Sequence, residues 1–249
     1  MPFALDLDGV VWLADEPIPG SAEAVARLRA AGEPVVFVTN NSSQSVAEVE
    51  AKLSRHGIAA AGDVITSAMA AVTLVDPGER VLVCAGPGVV EALEGRGAVP
   101  VREGDADAVL VGFHLDFDYE RLRIAATAVR RGARLLATND DATYPTPDGP
   151  IPGGGAILAS IVTATGVAPV VAGKPHEPMA ALVRARLGDA GVMVGDRPDT
   201  DGRFAALLGY AFGLVHTGVT GASARVDPAP DLVGADLAAL VDGVLAGRS

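Results

Sequence analysis

Continuous apolar runs of strand length, separated by stretches of helical period, constrain this chain of 249 residues more than any other feature. Pro34–Val38 and Gly191–Gly195 are apolar throughout rather than alternating, and Phe3-Ala-Leu5 and Asp63–Thr66 are shorter versions of the same. Strands of that kind are buried on both faces, which is the condition of a parallel sheet with helices on either side. Between them, Ala24, Val25, Leu28 and Ala31 recur at helical spacing in a helix over Ala22–Ala31, with Ser21 as its expected cap and Gly32 closing it. Further helices are expected over Val46–His56 and from Ser67. The expected fold class is α/β, a doubly wound (Rossmann-like) parallel-sheet core.

The alternation continues less regularly through strands Arg80–Ala85, Ala98–Val101, Asp107–Gly112 and Arg134–Thr138, with helices Gly88–Glu94 and Tyr119–Arg131. A turn-rich stretch, Asp140–Gly155, precedes a helix over Ala156–Thr165. The last third returns to the first pattern: helix Pro178–Leu187, strand Gly191–Gly195 and helix Gly202–Leu208. Strand Tyr210–Val215, an edge strand at Pro230–Val233 and helix Ala235–Leu245 complete it.

Composition excludes several classes. Nineteen basic residues against 31 acidic give a net charge of −12, which argues against nucleic acid or an anionic membrane as partner. Cys84 is the single cysteine, so no intramolecular disulfide can form, and its apolar neighbours mark it as a small buried hydrophobe rather than a catalytic thiol. No basic segment followed by an apolar one opens the chain and no uninterrupted apolar run reaches membrane-spanning length, so a soluble cytoplasmic protein is expected.

Binding groups in parallel sheets gather beyond the carboxyl ends of the strands. Four clusters fall there: Asp6 with Asp8, Thr39-Asn40, Gly173-Lys174-Pro175, and Gly195-Asp196-Arg197-Pro198-Asp199-Thr200-Asp201. Asp6 and Asp8, two apart, start on one face of one pocket. Two such carboxylates repel unless a cation or a shared proton lies between them. Carboxylates to attack phosphorus and hold Mg²⁺, a hydroxyl and a lysine for phosphate oxygens, and a second acid for the leaving oxygen are what phosphoryl transfer to a carboxylate needs.

Together with Pro17-Ile-Pro19-Gly20, Thr66-Ser67 and Thr217-Gly218-Val219-Thr220, these clusters make the chain resemble the haloacid dehalogenase superfamily of phosphatases. The resemblance is closest to the branch with a large α/β cap, the nitrophenylphosphatase-like and sugar-phosphatase-like proteins. It implies Asp6 as nucleophile and Asp8 as general acid/base, the latter also giving its backbone carbonyl to the metal. It implies Thr39 and Asn40 as phosphate binders, and Lys174 as the bridge between nucleophile and phosphate. Asp196 would be a side-chain ligand of Mg²⁺ beside Asp6, and Asp201 a supporting acid for the metal-bound water or the lysine. Pro198 departs from the family, which more often has a larger aliphatic residue there. The resemblance further implies a core of 1–75 and 172–249 and an inserted cap of 76–171 that reads the leaving group. Asn139–Gly155 and the loop after Gly112 are the candidate surfaces for that reading. The expected activity is Mg²⁺-dependent hydrolysis of a small phosphomonoester, a sugar phosphate or glycerol phosphate, through an aspartyl-phosphate. A nucleotide or pyridoxal phosphate as substrate, or a binding or regulatory role on the same fold, are the alternatives. A homodimer through the cap is compatible with the family. Trp12 and the four histidines show no partner by spacing.

Overall fold

A computed structural model describes residues 1–146 and 149–247. Pro147 and Asp148 of the turn-rich stretch, and the last two residues of the expected core, lie outside the described residues. Six parallel strands form the first sheet in the order Leu232–Gly234, Ala211–Val215, Val192–Gly195, Phe3–Leu5, Val35–Thr39, Val64–Thr66. Phe3 lies beside Val192 on one side and Val35 on the other, so the N-terminal strand is central.

The continuous apolar runs are explained by two covered faces. Along Val35–Thr39 all five residues are buried, Val36 and Val38 facing one hydrophobic cluster, Val35 and Phe37 the other. Phe37 is completely buried, and truncating it to Ala would cost about 3–5 kcal/mol.

A second parallel sheet takes its strands from Arg80 to Val171, in the order Val170–Val171, Arg134–Ala137, Ala108–Val111, Arg80–Cys84, Val99–Val101. The two sheets share apolar packing: Ala70, Ala71 and Val75 join Val81, Val89 and Leu93 in one cluster. The far face of the second sheet packs on helices Tyr119–Arg130 and Gly154–Thr165 through Ala125, Val129, Leu158 and Ile161. Cys84 is buried there, and burial pushes its thiol up to about 12, as a packing residue requires. No helix among the described residues is long and apolar enough to cross a membrane.

Local departures have local causes. Ser21 does not cap its helix. Gly20, left-handed at φ 83°, precedes helix Ser21–Ala30, and the buried Ser21 hydroxyl donates back to the Ile18 carbonyl at 2.6 Å. Helix Val46–Arg55 instead starts with a capping box, Ser45 Oγ accepting from Glu48 N and Glu48 Oε2 accepting from Ser45 N. The helix expected from Gly202 begins earlier and wider: Arg197 O accepts from the N–H groups of Thr200, Asp201 and Gly202 before regular winding over Arg203–Leu208. The hairpins Trp12–Leu13/Glu16–Pro17 and Thr143–Tyr144/Ile151–Pro152, and strand Val170–Val171, are too short to carry a period.

Candidate active site

The carboxyl ends of the first sheet's central strands converge as parallel pairing dictates. Asp6 follows Leu5, Asp196 follows Gly195, and Thr39 ends its own strand. Helix Glu177–Leu187 is preceded by the loop that carries Lys174 into the same space. Lys174 Nζ lies 2.7 Å from Asp6 Oδ1 and 2.7 Å from Asp201 Oδ1, and all three side chains are buried. Oxygens of Asp6, Asp196 and Asp201 fall within 4.8 Å of one another.

One ammonium cannot balance that many carboxylates. Burial, then the neighbouring Asp201, Asp196 and Asp8, hold the Asp6 carboxyl well above the usual range despite Lys174. Burial and Asp201 push Asp196 up to about 6, against a bond from Val219 N–H. Burial opposes the charge on Lys174, but Asp201 and Asp6 outweigh it and keep the ammonium protonated above the ordinary lysine range. Asp196 Oδ2 accepts from Val219 N at 2.6 Å, while its buried Oδ1 has no partner among the described residues. A buried carboxylate oxygen left without a partner, beside two further carboxylates, fits a hard divalent cation.

Glycines let the loops close this tightly. Gly9 adopts φ 83°, and a Cβ on Gly218 would strike the Asp196 carboxylate. A Cβ on Gly195 would strike Asp201. Asp199, by contrast, is exposed in the first turn after Arg197 and caps nothing.

Thr39 Oγ1 accepts from Asn41 N at 3.0 Å, which leaves its own proton for the pocket. The Asn40 side chain is committed elsewhere. Its Oδ1 accepts from Lys174 N at 2.8 Å, and its Nδ2 donates to Lys174 O and to Asp141 Oδ2, each at 3.0 Å. Asn40 therefore fixes the lysine loop and ties it to the second sheet. Asn139 completes the tie, its Nδ2 donating to Asn40 O at 2.8 Å. Asn139 and Asp141 follow the strand Arg134–Ala137 and lie in the candidate stretch Asn139–Gly155, where the sequence singles out neither; the strand-end rule that found Thr39 and Asn40 would have done so.

These groups surround a cavity of about 70 Å³, walled on the far side by Phe113, Asp141, Tyr144 and Gly154. Phe113 and Tyr144 stack with ring centroids 4.9 Å apart. Trp12, which spacing left without a partner, donates from Nε1 to Asp8 Oδ1 at 3.0 Å. Burial raises the Asp8 carboxyl, and the Trp12 bond opposes that rise. His114 and His176 lie outside this cavity, pairing with Asp116 and Asp140 respectively.

The site and the two sheets define a hydrolase of a known kind. A family profile for haloacid dehalogenase-like hydrolases matches residues 3–99, and a second, for related hydrolases of the same superfamily, matches 171–240. The chain belongs to the haloacid dehalogenase-like hydrolase family. It is 39% identical to a D-glycerol 3-phosphate phosphatase of Mycobacterium tuberculosis, over 95% of this chain and 69% of that protein. It is also 39% identical to an acid sugar phosphatase of Staphylococcus saprophyticus, over 80% of each chain. The crystal structure of a glycerol phosphate phosphatase from M. tuberculosis in complex with magnesium superposes with a TM-score of 0.88 at 37% identity, covering 96% of this chain and 75% of that one.

Proposed function

We propose that the protein is a phosphatase that hydrolyses a small phosphomonoester through Asp6. The observation that carries the reading is Lys174 held 2.7 Å from both Asp6 and Asp201 in a pocket that also contains Thr39 and the unpartnered Asp196 Oδ1. In the proposed reaction an Asp6 carboxylate oxygen attacks phosphorus and the ester P–O bond breaks. Asp8 gives its proton to the departing oxygen, leaving an alcohol and an aspartyl-phosphate. Asp8, now a base, takes a proton from water as that water attacks phosphorus, which releases orthophosphate and restores Asp6. Lys174 and the Thr39 hydroxyl bind the phosphate oxygens as charge builds on them.

Asp6 and Asp196 side chains and the Asp8 carbonyl would hold Mg²⁺, as the acidic cluster and the magnesium complex of the M. tuberculosis phosphatase support. When bound, the ion neutralises nucleophile and phosphate charge. Residues 76–171 act as the cap, whose Phe113, Asp141 and Tyr144 line the cavity opposite Asp6, and the similarity to a D-glycerol 3-phosphate phosphatase and an acid sugar phosphatase supports a compact alcohol such as glycerol or a sugar. A phosphate-release screen over a panel of metabolite phosphomonoesters, with and without added Mg²⁺, tests the reading. Turnover of small polyol or sugar phosphates is the expected result. No phosphate release from any ester with any divalent ion would overturn it.

A further inference from the structure

Beside the catalytic cluster lies a group of residues that the proposed reaction does not use. Trp12 is buried on the short hairpin Trp12–Leu13/Glu16–Pro17, and its backbone is tied down at both polar atoms. Trp12 N donates to Leu7 O at 3.2 Å, and Trp12 O accepts from Gly9 N at 2.7 Å. The indole N–H points at Asp8 Oδ1 from 3.0 Å. Lys52, on helix Val46–Arg55, places Nζ 4.3 Å from the indole centroid and buries all but a tenth of its side chain. The same ammonium donates to Ala14 O and pairs with Asp15 Oδ1 at 3.1 Å. Ala14 is the one non-glycine residue with positive φ among the described residues, at 54°. Lys52 therefore holds the hairpin in a conformation that an L-residue disfavours.

We propose that Trp12 is a positioning residue for the acid Asp8 and that Lys52 braces it there. The argument rests on the phosphatase reading above and concerns only how the leaving group is protonated. An indole nitrogen donates and never accepts. The carbonyl oxygen of a carboxylic acid accepts better than its hydroxyl oxygen, so the N–H facing Oδ1 favours the acid proton on Oδ2. Oδ2 has no hydrogen bond to protein among the described residues, and Asp8 lines the reaction cavity. The Lys52 charge over the ring face draws electron density inward and strengthens the N–H as a donor. Asp8 is thus set to deliver its proton from Oδ2.

The test is the dependence on leaving group in Trp12→Phe, which keeps one aromatic ring at the position and deletes the N–H. Phenyl phosphate needs its leaving oxygen protonated, whereas 4-nitrophenyl phosphate releases a stable anion. For kcat/KM, which reports the transfer to Asp6, the loss on phenyl phosphate is expected to be about tenfold or more, with less than about threefold on the nitrophenyl ester. Equal losses on both esters would mean a purely structural role and overturn the proposal. Should Trp12→Phe not fold, Lys52→Gln leaves the indole in place, removes the charge from its face and must give the same split at smaller size. Equal losses there overturn the proposal as well. Failure of the wild-type protein to hydrolyse either ester is a distinct result that overturns the phosphatase reading itself.

Discussion

Lys174 and Asp6 stand 168 residues apart in the chain and 2.7 Å apart in the fold, one ammonium on a carboxylate at the centre of the first sheet's carboxyl edge. Asp201 sits at the same distance from that ammonium. The lysine thus bridges two buried acids whose oxygens lie within 4.8 Å of each other.

Asp6→Asn removes the proposed nucleophile while keeping its size, and it leaves Lys174 paired with Asp201. Hydrolysis of 4-nitrophenyl phosphate is expected to fall by about 10³-fold or more, with the Tm unchanged or raised. Retained turnover in this variant excludes the aspartyl-phosphate route.

Lys174→Met strands Asp6 and Asp201 without their common partner. Breaking a buried pair from one side costs about 3–5 kcal/mol, so denaturant unfolding is expected to show a loss of that order along with loss of activity. Stability within 1 kcal/mol of wild type, roughly the worth of an exposed pair, would contradict the central place given to this lysine.

Asp196 carries a pH dependence whose sign follows from its raised carboxyl, about 6 in the fold against an ordinary 3.8. A raised acid binds its proton more tightly when folded. Its contribution is therefore fully present below about pH 4 and lost as pH rises through about 6, on the order of 2–3 kcal/mol. In chelator, the Tm of wild type minus that of Asp196→Asn should fall across that window. Mg²⁺ added above pH 6 should raise the wild-type Tm by mass action and leave the variant unmoved. A flat Tm difference across the window, or equal responses to the ion, would contradict the assignment.

Gly218→Ala pushes a methyl into the Asp196 carboxylate, which Val219 N–H otherwise holds at 2.6 Å. The expected outcome is a 10–100-fold rise (order of magnitude) in the Mg²⁺ concentration for half-maximal activity, read by metal titration. An unchanged midpoint would show that the loop yields without moving Asp196.

Asn139→Ala cuts the tie from the second sheet to Asn40 O, leaving Ser67 Oγ as its side-chain donor. A loss of about 1–3 kcal/mol is expected in denaturant unfolding, together with lower kcat because the lysine loop hangs on Asn40. Loss of stability with kcat intact would separate the tie from the chemistry.

Strand-end clusters were legible because burial is periodic and local. Val35–Thr39 shows its two covered faces in five letters, and Thr39-Asn40, Lys174 and Asp196 each announce themselves as polar residues where an apolar run stops. The Ser21 cap misled for an equally local reason: the preceding Gly20 turns left-handed, so the serine faces the interior. The bond between Trp12 and Asp8 gave no signal, since it depends on a hairpin of two-residue arms, and no period fits in two residues. Asn139 and Asp141 obeyed the strand-end rule and fell inside the candidate surface Asn139–Gly155, but no local pattern says which residues of that stretch reach Asn40.

By itself, then, the sequence determined the α/β alternation, the parallel strands and the residues at their ends, because each follows from which side of a short segment avoids water. The tertiary structure decided which acids share Lys174, which oxygen of Asp196 has no partner among the described residues, and which groups Trp12 and Asn139 bond. Those facts depend on contacts between segments up to 168 residues apart, as for Lys174 and Asp6. Such contacts are fixed by sheet order and close packing, for which no local stretch carries a code.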